Sequence, residues 1–303
     1  MSLHHRTLHE GRLLQIGCVC CRPETGSCGE LEHARANLVA FPLRGVFVKH
    51  HEHGPDVVAH IGQALFFNAG EAYRVSHPTQ GGDDCLVLCT DDAALREILA
   101  EHDALRAQRE SEPFRATHAL LPAAVELERS LLWHGLRHRE ASALEVETRG
   151  LTLLNAALAQ VSQADSRHIA RAGPRKARSR DQSHAVAVLL ANQAARDWRL
   201  DELAGHVHAS PYHLARSFRA VLGEPIHRYQ LRVRLAMALE QVLEGSMPLT
   251  TLALELGFAT PSHFTAAFGR AYGITPSALR KQARPAQARH LRKILTVRPN
   301  RAH

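Results

Sequence analysis

No apolar run in the 303 residues approaches the ~20 needed to cross a bilayer. The opening stretch, 1–12, is polar and histidine-rich, without the apolar core of a secretory signal. A cytoplasmic protein with no membrane partner is expected. The six cysteines contain no paired C-x-x-C knuckle. Neither a phosphate-cradling glycine loop nor a nucleophile–base constellation is visible, so no catalytic residue is assigned and no enzyme is expected. In a reducing compartment the cysteines are expected as thiols or metal ligands rather than disulfides. Negative charge is the scarcer sign: 30 Asp and Glu stand against 37 Lys and Arg, a formal +7, and Arg far outnumbers Lys. A basic balance suits a polyanionic partner, because neutralising phosphates releases counterions. The 22 histidines make that charge sensitive to pH just below neutrality.

What is present divides into two kinds of pattern, and the length allows two domains that each bury a core. Over 11–90, short runs rich in Val, Leu, Ile and Phe (13–20, 38–50, 57–61, 64–67, 73–76, 85–89) alternate with Gly/Pro/Asn turns. That spacing predicts an antiparallel barrel or sandwich. From Asp91-Asp92 the period becomes helical, giving helices near 91–109, 121–134 and 141–161. The stripes Val125, Leu127, Leu131, Leu132 and Leu144, Val146, Leu151, Leu154, Leu158 suit a layer over the sheet and a dimer seam equally, and a homodimer is expected. Residues 164–182 read as a basic linker, carrying Arg167, Arg171, Arg175, Lys176, Arg178 and Arg180. Helices are expected throughout 183–286, then a basic tail over 287–303. The fold class is α+β, multidomain.

A single pattern occurs twice among these last helices. Ala204 to Pro211 and Ala253 to Pro261 each join a short apolar helix, a small-residue turn and an N-cap Ser or Thr followed by Pro. A second apolar-periodic helix then ends in Gly223 or Gly273. Proline costs nothing at the first helical position, and glycine accepts the left-handed exit. This is the written form of a helix-turn-helix, which presents one helix to the DNA major groove. On the second helix of the first copy, Leu214, Phe218, Val221 and Leu222 keep core spacing, while Tyr212, His213, Ala215, Arg216 and Arg219 face away.

Residues 198–281 resemble the AraC/XylS family of bacterial transcription regulators. The resemblance rests on Leu203-Ala204, the Ser210-Pro211-Tyr212-His213-Leu214-Ala215-Arg216 start, Gly223-Glu224-Pro225-Ile226, Gly257-Phe258, Ser262-His263-Phe264 and Gly273-Ile274-Thr275-Pro276. It implies two recognition helices in successive major grooves, about 34 Å or 10 bp apart. Carried over by position, base contacts fall to Tyr212, Ala215 and Arg216, then to Pro261, Ser262, Thr265 and Ala266. Arg219, Arg232, Arg234 and Arg270 are assigned to phosphate or solvent. Arg216 is the foremost candidate, able to pair bidentately with guanine for ~1–3 kcal/mol of discrimination. Ala266 and Gly269 stand where family members often carry a basic residue, so the second helix should read fewer bases. The resemblance also implies promoter DNA and RNA polymerase as partners, with activation the commoner outcome.

The strand-rich half resembles, more loosely, the cupin-like barrel that many of these regulators use to bind a small-molecule effector. The resemblance is carried by 44–48 and 64–78 and places Tyr73, Arg74 and His77 at the barrel rim. Cys18, Cys20, Cys21, Cys28 and His33 are dense enough to suggest a zinc site, although Cys18 and Cys20 should share a strand face that Cys21 leaves. Cys85 and Cys89 read as core. His50, His51, Glu52 and His53 invite comparison with metal cupins but read as a solvated hairpin tip. Two alternatives to an effector-responsive regulator therefore remain: a metal-dependent cupin enzyme fused to a DNA-binding module, and a thiol- or metal-ion-responsive regulator.

Overall fold

The computed structural model describes residues 2–23, 28–52, 54, 56–102, 112–164 and 174–283. His53, Arg109, Arg167, Arg171 and the expected tail 287–303 lie outside the described residues.

Among the described residues, ten strands form two sheets. The larger runs β1 (Ser2–Glu10), β2 (Gln15–Arg22), β9 (Asp83–Cys89), β4 (Leu38–Arg44), β7 (Gln63–Phe67), β10 (His118–Leu120) in spatial order. The smaller runs β3 (Glu32–His33), β8 (Ala72–Ser76), β5 (Val46–His51), β6 (Val57–His60). Neighbours in both sheets pair antiparallel. The central strands are apolar on both faces because both are covered. Val39, Phe41, Leu86 and Leu88 point to the helical layer. Ala40, Leu65, Phe67 and Cys85 point to the other sheet, where they meet Phe47, Val57 and Ala59.

The expected strand over 38–50 is two strands in different sheets. Gly45 makes the break: its φ is 83°, and a Cβ there would sit 2.2 Å from the Gly82 carbonyl oxygen. Pro42 cannot donate within a central strand, and the β4–β9 register slips between Pro42 and Arg44. The polar stretch at the start, to which composition assigns no element, is strand β1, paired with β2 from Ser2↔Arg22 to Glu10↔Gln15. An edge strand carries no buried alternation, so composition hides it.

Helices α1 (Asp92–His102), α2 (Ala123–His138) and α3 (Ala143–Ala164) cover the larger sheet. Leu95, Leu99, Leu132, Val146, Leu154 and Leu158 are buried there, so much of the stripe that suited a dimer seam is used within the chain. Leu144, by contrast, is 76% exposed. Among the described residues seven further helices follow: α4 (Pro174–Asn192), α5 (Leu200–His206), α6 (Pro211–Leu222), α7 (Ile226–Glu244), α8 (Leu249–Glu255), α9 (Pro261–Tyr272) and α10 (Pro276–Ala283). The linker expected to reach 182 is thus helix from Pro174 onward, and α4 is held by Val186, Ala187 and Leu190 in the core. Among the described residues no helix is long and apolar enough to cross a membrane.

The long α7 serves two cores. Tyr229, Val233 and Ala236 pack with α4, α5 and α6, whereas Leu239, Val242 and Leu243 pack with α8, α9 and α10. The two halves of the chain also dock on each other. Val46, Val58 and Ile61 of the smaller sheet join the first helical core, and Leu127 and Leu131 of α2 lie against the second.

Candidate nucleic-acid interface

Both expected recognition helices form, and each starts with the cap its sequence specifies. Ser210 Oγ accepts from the His213 amide at 3.2 Å, and Thr260 Oγ1 from the His263 amide at 3.1 Å. Each cap satisfies an otherwise orphaned first-turn donor. Gly223 and Gly273 close α6 and α9 in the left-handed conformation, at φ 80° and 70°. The preceding turns match as well. His208 and Gly257 both have positive φ, 51° and 76°. In the second turn only glycine fits, since a Cβ at 257 would lie 2.0 Å from the Ala195 carbonyl oxygen.

The caps and the buried stripes decide which faces remain outside. Leu214, Ser217 and Phe218 anchor α6, and Phe264, Ala267, Phe268 and Tyr272 anchor α9. On α6, Tyr212 is 78% exposed, Arg216 and Arg219 are exposed, and Ala215 is half-buried. On α9, Ser262, Thr265, Ala266 and Arg270 are exposed and Pro261 is half-buried. At the expected base-reading positions, α9 therefore offers only short side chains.

Arg232 and Arg234, expected at phosphate or solvent, are engaged inside the protein instead. Arg232 pairs with Glu224 at 2.8 Å and reaches the Gly62 carbonyl of the sheet domain at 3.4 Å. Arg234 donates to the carbonyls of Ala194, Ala195 and Arg196 beyond α4, and to Gly257 in the second turn. Its guanidinium fork thus ties the two helix-turn-helix units to one frame. Both residues lie on α7, whose surroundings come from segments distant in sequence, so helical spacing alone could not place them.

Further polar ties join the halves. Arg129 donates to the Pro42 carbonyl at 2.7 Å and pairs with Glu240 at 2.7 Å. Tyr272, at the end of α9, donates to Glu126 Oε2 at 3.0 Å. Burial pushes the Glu126 carboxyl up, opposed by Arg232 and Arg129. His60 packs edge-on against Tyr229 with ring centroids 4.9 Å apart. Between the halves lies a pocket of about 200 Å³, lined by Leu121, Ala123, Glu126, Arg228, Leu235 and Tyr272 among others.

The expected sensor rim does not assemble. Tyr73 donates to Glu32 at 3.0 Å and its ring meets Phe67, Arg74 is exposed, and His77 is fully buried beside Asp83. Adjacent strand positions point to opposite faces, which separates Tyr73 from Arg74. The supposed hairpin tip is also corrected. His50 and His51 lie in β5, His50 pairing with Asp56 at 2.9 Å and His51 with Glu71 at 3.0 Å. A buried charged cluster was missed there. Lys49, fully buried, meets Glu71 at 2.7 Å and lies 3.6 Å from the centre of the Phe67 ring. Burial pulls Lys49 down to about 8, against the pull of Glu71. Burial raises the Glu71 carboxyl, but the hydrogen bond from His51 and the charge of Lys49 outweigh it and hold the group at about 2. A lone lysine amid apolar strand residues was the available signal.

The five residues expected to share a zinc ion do not converge. Cys18 and Cys20 have sulfurs 3.5 Å apart, Cys21 leaves on the opposite face, and Cys28 and His33 are exposed. Burial pushes the Cys18 thiol up to about 12 and Cys21 to about 11, so neither is an activated thiolate. Cys21 instead meets His77 and Asp83.

Residues 203–282 match a family model described as a helix-turn-helix domain. Regulatory protein PocR of Salmonella typhimurium is 33% identical over 86 residues, 28% of each chain. The transcriptional regulator ArgR of Pseudomonas aeruginosa is 33% identical over 88 residues, 29% of this chain and 27% of that one. The solved structure of ToxT from Vibrio cholerae covers 89% of this chain and 98% of its own, at 11% identity and a TM-score of 0.38. The chain spans less than a third of the length of these curated relatives.

Proposed function

We propose that the whole chain is a cytoplasmic, effector-responsive transcription regulator of the AraC type, an activator rather than a repressor. Residues 174–283 read promoter DNA, and the strand-rich half with α1–α3 is the sensor. The observation that carries this reading is the pair of identically capped helices, α6 and α9, with outward faces free and frames joined through Arg234. Tyr212, Ala215 and Arg216, with Pro261, Ser262, Thr265 and Ala266, meet base edges; Arg219 and Arg270 meet phosphate. The basic balance supplies sequence-independent affinity.

An effector would act by preferring one arrangement of the two halves. The pocket bounded by α2, α7 and α9 is placed for that, because filling it changes contacts made only when the halves are docked. A homodimer and contact with RNA polymerase complete the reading, and it includes no catalytic step.

The test is a footprint of the full chain on DNA upstream of its own gene, with gel shifts at two salt concentrations. Protection of two patches about one helical turn apart, ~10 bp, is expected. Binding that is blind to sequence and vanishes with added salt would overturn the reading.

A further inference from the structure

Three side chains that DNA reading leaves unused meet at one end of the sandwich. Cys21 lies near the end of β2 and Asp83 opens β9, where the two are cross-strand partners. His77 follows β8 of the other sheet. A tight connection brings it over: Gly82 has φ 67°, and a Cβ there would stand 1.9 Å from the Cys21 carbonyl oxygen. Only glycine lets that turn lie so close to the end of β2.

All three residues are buried, with Cys21 4%, His77 0% and Asp83 5% exposed. One donor atom from each lies within 4.8 Å of the others. His77 Nε2 is 2.5 Å from Asp83 Oδ1, while His77 Nδ1 is buried with no hydrogen-bond partner. Cys85, two residues along β9 and also buried, has its sulfur 3.4 Å from Asp83 Oδ2. A buried imidazole with an orphaned nitrogen beside a carboxylate and two thiols is costly as ordinary core. The same atoms are a sulfur, nitrogen and oxygen donor set of the kind that zinc takes in four-coordinate sites.

We propose that Cys21, His77 and Asp83 bind a divalent cation of the zinc class. Binding takes the proton from the Cys21 thiol and releases it to solvent, leaving a thiolate–metal bond without any change of oxidation state. The ion would join β2 and β9 of the larger sheet to the end of β8 in the smaller one, tying the two layers where no covalent link exists. This inference does not rest on the DNA-binding reading; the sandwich could hold the ion whatever the helical half does.

The experiment uses the full chain, purified under reducing conditions, stripped with chelator and titrated with cobalt(II) as a spectroscopic stand-in. One equivalent should bind with a sulfur-to-cobalt charge-transfer band and tetrahedral ligand-field bands, and one equivalent of zinc should displace it and raise the Tm. Cys21→Ser and His77→Gln should each abolish the thiolate band, and Cys18→Ser should leave it. Asp83→Asn, which keeps a hydrogen-bonding oxygen near His77, replaces either variant that fails to fold. Binding without a thiolate band would overturn the proposal. So would an equivalent that survives Cys21→Ser but is lost in His138→Ala, placing the ion instead at His134, His138 and Glu244, the other described cluster of suitable donors.

Discussion

Arg129 of α2 and Glu240 of α7 meet at 2.7 Å across the junction between the halves, with the arginine side chain wholly buried and the glutamate 20% exposed. The same guanidinium serves the Pro42 carbonyl, the acceptor beside the register slip in β4. A bulge in a strand, a covering helix and the helix joining the two DNA-reading units are therefore fastened at one side chain. Removing either partner should not cost the same, because water can reach only one of them.

Glu240→Ala strands a buried cation and should destabilise the docked chain by roughly 3–5 kcal/mol. Arg129→Met leaves a carboxylate that can rehydrate and should cost less. Urea unfolding followed by fluorescence of Trp133 and Trp198, one in each half, measures both. Equal losses would show that the buried charge is not what the pair offsets.

Arg216→Ala should lower discrimination at one base pair by about 1–3 kcal/mol while leaving the Tm unchanged, since the residue is exposed on α6. Arg234→Ala should do the reverse. Losing charge-assisted bonds to four carbonyls should cost about 2 kcal/mol or more of stability and weaken binding to every sequence alike. Competition gel shifts with single-base operator variants, beside thermal melts, separate the two effects.

Burial holds the His60 imidazole down at about 3, reinforced by the charge of Arg232 and opposed by the Ile61 carbonyl. The folded value lies below the unfolded one, so the unfolded chain takes up the extra proton as pH falls. The stability contributed by neutral His60 is complete above about pH 6.5 and is lost progressively toward pH 3. Because the ring packs on Tyr229, the Trp198 signal should report the loss. Urea midpoints at about pH 7.5 and pH 5 should differ more for the natural chain than for His60→Gln. Equal differences would remove His60 as the cause.

The Lys49–Glu71 pair makes a separate prediction in the sheet domain. Glu71 sits at about 2 against an ordinary 4.5, so its contribution is present above 4.5 and lost as pH falls toward 2. Lys49→Met should cost roughly 3 kcal/mol at neutral pH, as expected when one member of a buried pair is removed. It should also shrink the acid-dependent component of the Trp133 transition. An unchanged acid profile would assign Glu71 to His51 alone.

What could be read from residue order follows from how local each determinant is. Ser210, Thr260, Gly223 and Gly273 act within a turn of their own helices, so caps and ends were legible. The opposite faces of Cys20 and Cys21 followed from strand alternation alone. Strand β1 was not legible, since Ser2 to Glu10 are specified by pairing with β2 rather than by any buried face of their own. The split at Gly45 depends on Gly82, far along the chain, coming close to it. Arg232 and Arg234 looked like surface cations because their acceptors, Gly62 and Ala194 to Arg196, are remote in sequence. His77 and Asp83 joined Cys21 for the same reason: only the folded sandwich brings a second sheet to the first.

None of the carbonyls gathered by Arg234 belongs to α6 or α9. On the proposed reading, geometry and vocabulary would thereby be uncoupled: one guanidinium would space the two readers, while residues such as Tyr212 and Arg216 would choose the letters. A lineage could rewrite its operator by exchanging the outer residues of α6 or α9 without disturbing that spacing. Lysine could not take over at position 234, because a single ammonium cannot span acceptors that a planar fork reaches together.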